Sequence, residues 1–124
     1  MQYLLLVYND DSLLEALPEG EFDRRMADCF AHADALAAEG TLLGSQQLES
    51  VRKARSVRIR DGKTQVLDGP FAETKEVLCG YNIIEAGSME EAVRIASAFP
   101  WTRTGCVEVR PIRDMGAVRT RVGA

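Results

Sequence analysis

Of the 124 side chains, only the single histidine, His32, has an ordinary pKa near neutrality. Any acid–base chemistry near pH 7 therefore starts there. His32 lies at the edge of an apolar helical stripe, on the same flank as Arg25 and Asp28. It could look into a cleft between helix and sheet, or simply cover the core edge with its ring nitrogens in water. Asp68 opens a Gly-Pro turn. It could orient a histidine or hold a water, or its carboxylate could serve the turn by accepting backbone N–H bonds. His32 and Asp68 are thus the candidate catalytic pair. Arg25, Lys75 and Glu73 are candidate ligand-binding groups, with Lys75 suited to an anion. The cluster Glu73, Lys75 and Glu76 also reads as ordinary solvated surface.

Other chemistry is excluded by what the residues lack. One histidine with scattered carboxylates makes no transition-metal site. There is no GxGxxG and no phosphate loop, so no cofactor is expected. Ser45 and Ser56 lack a nucleophile-elbow setting. The three cysteines, Cys29, Cys79 and Cys106, have no paired spacing and fall in apolar stretches. They read as reduced core thiols rather than a disulfide framework.

The net charge is −4 and unevenly spread. Residues 1–50 carry ten acids and two bases, a sum of −8; residues 51–124 carry nine acids and thirteen bases, a sum of +4. The bases cluster from Arg52 to Arg60, where Ser56, Arg58 and Arg60 alternate with Val57 and Ile59 as on the solvated face of a strand. No stacking aromatics are interleaved there, so no direct nucleic-acid binding is expected. The apolar start, Tyr3 to Tyr8, is too short for a membrane span and lacks the basic lead of a signal peptide. A cytoplasmic protein of one domain, residues 1–124, is expected.

The elements that must position these groups follow from periodicity. Gln2–Tyr8 is apolar on both faces, a central strand. Acidic residues at Glu19 and Glu21 open a helix, along which Phe22, Met26, Cys29, Phe30, Ala33, Leu36 and Ala37 form one stripe. Gly40 stops it, and Thr41–Gly44 is a second strand. Asp61-Gly62 is a two-residue hairpin turn between arms 54–60 and 63–67. Gly69-Pro70 keeps 68–77 irregular, and Gly80–Ala86 is a buried strand. Ser88 with Glu91 is a capping box opening a second helix, whose stripe is Ala92, Ile95, Ala96 and Phe99 and whose end is Pro100. Gly105–Ile112 is the last strand.

The order β-α-β, hairpin, β-α-β predicts an α+β fold: a ferredoxin-like antiparallel sheet with two helices on one face. Two helices cannot cover both faces, yet the first strand is apolar on both. A second copy of the chain is the expected lid, giving a homodimer packed sheet to sheet. The Asp68–Phe71 turn is expected to be a rigid corner, with Phe71 anchored in the core and Asp68 held near the first helix.

The segment Val66-Leu67-Asp68-Gly69-Pro70-Phe71-Ala72-Glu73-Thr74-Lys75-Glu76 resembles the signature of the DGPF branch of the YCII-related family. Ser56–Gly62, Gly80–Glu85, Met89–Ala92 and Val107–Ile112 resemble the same family in the same order, over nearly the whole chain. The resemblance implies a dimeric α+β barrel. It also implies a small histidine–aspartate site of the kind some members carry, and a regulatory setting, since related domains occur beside transcription sigma factors. The chain departs from the pattern at Leu78-Cys79-Gly80, where the family has two glycines, and at Cys29, near which a family histidine would fall.

Three functions fit these observations. The first is binding, with or without conversion, of a small polar or anionic metabolite in a cleft near His32 and Asp68. The second is a non-catalytic dimeric module for a regulatory ligand or transcription partner. The third, by analogy of fold, is a cofactor-independent oxygenase or isomerase.

Overall fold

The computed structural model describes all residues, Met1–Ala124. Four strands form one antiparallel sheet: β1 (Gln2–Asn9), β2 (Leu42–Gln47), β5 (Val77–Glu85) and β6 (Gly105–Pro111), in the order β2-β5-β1-β6. This is the ferredoxin-like order, with β1 central as its doubly apolar pattern predicts. Strands β3 (Arg55–Arg60) and β4 (Lys63–Asp68) form a separate hairpin inserted between β2 and β5.

Two helices cover one face of the sheet. Helix α2 (Glu21–Ala38) crosses from β1 to β2, and α3 (Met89–Ser97) from β5 to β6. Tyr3, Leu5 and Val7 point inward from β1, meeting Ile84 and Ala86 from β5, Ala92 and Ala96 from α3, and Leu36 from α2. Phe99 and Trp101, which flank Pro100 at the start of a 3-10 turn, complete this core. The alternate residues of β1, including Leu4, Leu6 and Tyr8, face the other side and are only half-buried.

Local signals set the boundaries. Ser88 accepts the Glu91 N–H at 3.1 Å, while the Glu91 carboxylate reaches Gly87 N at 2.7 Å. The capping box is thus closed one residue earlier than its usual form. Gly40 has φ +78, and Asp61 and Gly62 both have positive φ, as the helix stop and the type I′ turn require. Two short helices carry too little periodicity to stand out in the sequence. Helix α1 (Asp11–Glu15) is capped by Asp10, which accepts from Ser12 N at 2.9 Å. Helix α4 (Met115–Val122) is capped by Asp114 and ended by Gly123, and it buries nothing.

Strand β5 begins at Val77, three residues before its apolar pattern is clear. The irregularity there has a cause: Val7 pairs with Gly80 and Tyr8 with Leu78, leaving Cys79 as an unopposed bulge residue. Gly80 follows because nothing larger fits. A Cβ there would stand 2.7 Å from the Gln46 carbonyl and 3.3 Å from Gln47 Cα. Gly80→Ala should push β2 away and destabilise the protein by roughly 1–3 kcal/mol, as overpacking does. A lowered urea midpoint with an unchanged m-value is the expected readout.

Candidate functional site

The apolar stripe of α2 is only partly packed. Leu36, near its C-terminal end, is buried, but Phe22 and Phe30 remain exposed and Met26, Cys29 and Ala33 half-buried. Between these residues and the sheet lies a cleft of about 590 Å³. Its far walls are Leu14 and Trp101, and its floor is the inward face of β1, β5 and β2.

That floor is polar. On β5 the inward residues are Gly80, Asn82 and Ile84; Asn82 lies opposite Leu5 on β1 and Ser45 on β2. Asn82 is only 6% exposed, lines the cleft, and takes part in no side-chain hydrogen bond. Asn9, the last inward residue of β1, is also buried and accepts a hydrogen bond from Thr104 Oγ1 at 2.9 Å. Gln47 donates to Met26 Sδ at 3.7 Å across the cleft. The bulge turns Cys79 to the cleft, where its thiol donates to the Val77 carbonyl at 3.2 Å.

Electrostatics narrow the chemistry. Burial pushes the Cys29 and Cys79 thiols up from their ordinary pKa, so both are neutral at pH 7 and poor nucleophiles. The rim carries the carboxylates of Asp11, Glu15 and Glu49 against one base, Arg52. An open cleft with apolar walls and a hydrogen-bonding floor can hold a small molecule and orient it.

The expected pair does not meet. The His32 ring packs edge-on against Phe99, with centroids 4.4 Å apart, and Nε2 lies 3.1 Å from the Ile95 carbonyl. Its place is between α2 and α3, outside the cleft. The Asp68 side chain is 87% exposed and paired with Arg55 Nη1 at 2.8 Å across the base of the hairpin. It faces water because β4 leaves the sheet, so the corner does not bring it to α2. Phe71 is 76% exposed rather than anchored in the core, with the Arg58 guanidinium 5.9 Å from its ring centre.

The DGPF turn does line a cavity, but a different one. Pro70 and Phe71 face Tyr8, Val51 and Leu78 around a second space of about 570 Å³. Glu73 and Lys75 are exposed and line neither space. Arg25 bonds Glu21 through Nε at 3.3 Å, and its buried Nη1 has no partner. It too stands outside the cleft. Sequence reasoning passed over Asn82, although a lone amide in the inward register of the apolar strand Gly80–Ala86 is a visible signal.

His32 therefore clamps the two helices together. His32→Ala should cost about 1–2 kcal/mol, the worth of a lost hydrogen bond and ring contact. Calorimetry should register this as a lower Tm, while ligand affinity of the cleft stays within twofold in magnitude, roughly the error of additivity for a separate site.

A profile of the YCII-related domain matches residues 1–116, which excludes most of α4. An uncharacterized protein of Rhizobium meliloti (strain 1021), R00369, is 39% identical over 116 residues, covering 90% of this chain and 92% of its own. Among solved structures, 5-chloro-2-hydroxyhydroquinone dehydrochlorinase (TftG) from Burkholderia phenoliruptrix AC1100, in complex with 2,5-dihydroxybenzoquinone, aligns with 91% of this chain and 94% of its own. The identity is 14% and the TM-score 0.48. With a family profile over residues 1–116 and a relative this similar along nearly its full length, the chain belongs to the YCII-related family.

Proposed function

We propose that this protein binds a small, mainly apolar molecule bearing one or two hydrogen-bonding groups in the cleft between α2 and the sheet. The observation that carries the reading is the Asn82 amide, a largely buried polar side chain that lines the cleft floor and is bonded to no other side chain. A ligand group that hydrogen-bonds this amide contributes roughly 0.5–1.5 kcal/mol. The apolar walls supply affinity; Asn82, Ser45 and Gln47 supply orientation.

The rim decides the ligand's charge. Three carboxylates against one guanidinium disfavour an anion. The charge of this rim supports a neutral or cationic ligand over an anionic one, where the sequence led us to expect a small polar or anionic metabolite near His32 and Asp68. Histidine, the residue best suited to proton transfer at neutral pH, is absent from the cleft. Binding rather than conversion is the reading this favours. It operates in a homodimer, which would cover the half-buried Leu4, Leu6, Tyr81 and Ile83 on the open face of the sheet.

A thermal-shift screen tests this with paired compounds: neutral hydroxy- or oxo-substituted aromatics, and the same rings carrying a carboxylate. A neutral compound at about 100 times its Kd should stabilise the protein by roughly 2.7 kcal/mol. Asn82→Leu should keep the fold and lose about tenfold in affinity, or 1.4 kcal/mol. Preference for the carboxylated series, or unaltered binding by Asn82→Leu, would end the proposal.

A further inference from the structure

The β3–β4 hairpin stands apart from the rest of the chain. Its strands pair only with each other, and nearly all their side chains are exposed. A two-stranded hairpin alone is marginal in water. On one of its faces Val57 opposes Val66, and Ile59 opposes Thr64. Val57, Ile59 and Val66 are 64%, 65% and 58% exposed, a row of apolar side chains with no cover. None of residues 55–68 lines the cleft or the second cavity.

Charge points to what covers that row. Residues 51–68 hold six bases and two acids, a surplus of +4, whereas residues 69–124 hold seven of each. The whole positive surplus of the second part of the chain thus sits on the hairpin and its lead-in. The opposite charge lies on α1 and α2, where Asp11, Glu15 and Asp23 are exposed. The same two helices expose three apolar side chains, Leu13, Phe22 and Phe30, and the two phenylalanines line the cleft. One surface is basic with an apolar row; the other is acidic and exposes apolar side chains.

The geometry points to an exchanged arm: in a dimer of this chain, each copy lays its hairpin on the acidic α1–α2 surface of the other, over the mouth of the cleft. Six-residue strands reach about 20 Å, and reciprocal exchange closes the pair with two-fold symmetry. Charge complementarity sets the docking surface and quickens encounter, while the exposed apolar side chains supply the contact. The inference rests on the homodimer of the preceding section and adds to its cleft a wall from the second copy.

Hydrogen exchange on the full chain without ligand, read by mass spectrometry at low and high micromolar protein, tests the arm, with light scattering alongside. Amides of residues 55–68 should gain protection as the dimer forms. Val57→Asp with Val66→Asp should abolish that gain. Arg60→Glu with Lys63→Glu, changed only at the exposed hairpin tip, should weaken dimerisation by about tenfold without altering the circular dichroism. A dimer whose hairpin amides exchange equally at both concentrations overturns the arm and leaves the homodimer standing. A monomer at every concentration overturns both. Hairpin protection that appears only on adding a DNA duplex overturns the arm in favour of nucleic acid. Because no ligand is present, failure of the cleft reading would show separately, in the thermal-shift screen.

Discussion

The structure depends on the inward row of β1. Tyr3, Leu5 and Val7 sit between β5 and β6 and meet α3 from above, with Leu5 and Ile84 fully buried. Completely burying such a side chain contributes about 1.5–3 kcal/mol. The row ends in a polar residue, Asn9, and beyond Val7 the large apolar partners run out. The packed core therefore occupies the α3 side of the sheet. The cleft is the remaining space, roofed by α2 and floored by Gly80, Asn82 and Ser45.

Helix α2 is anchored over that space at both ends, and Met26 and Cys29 touch the edge of the core between them. Leu36 joins the core, and His32 touches Phe99 and the Ile95 carbonyl of the neighbouring helix. At the other end Phe22 approaches Trp101, with ring centres 6.0 Å apart. Between these anchors the stripe faces the cleft. The same seven apolar residues that announce a helix thus serve two purposes: some fix it, and the others form a wall.

Much of this was legible in the chain. The hairpin turn at Asp61-Gly62, the stop at Gly40 and the cap at Ser88 are local events set by backbone φ or one hydrogen bond, so residue types reveal them. The doubly apolar β1 revealed its central position. The site was harder to read, because the role of a functional group is decided by distant contacts. His32 looked like an acid–base group because of its pKa class, yet its partner is a carbonyl 63 residues away. Asp68 looked like a presented carboxylate, yet its partner is Arg55 across a hairpin that leaves the sheet. Helices α1 and α4 had visible caps in Asp10 and Asp114, but neither carries a stripe long enough to register.

The segment on which the sequence resemblance rests most heavily lies outside the core. Phe71 is exposed and Asp68 solvated, so packing does not account for the DGPF turn. What the turn does is hold the root of the hairpin. Gly69 takes φ +88, its N–H donates to the Ala54 carbonyl at 2.8 Å, and its own carbonyl accepts from Ser56 Oγ at 2.8 Å. Asp68 pairs with Arg55, and Phe71 lies beneath Arg58. These contacts join the turn to the first arm of the hairpin and set the direction in which the arm leaves the sheet. A side chain other than glycine would strain at this φ, and loss of the carboxylate would leave Arg55 without its partner. The turn is therefore best understood as a hinge-plate for the hairpin: a motif whose chemistry is spent on aiming an element that the single chain does not itself cover.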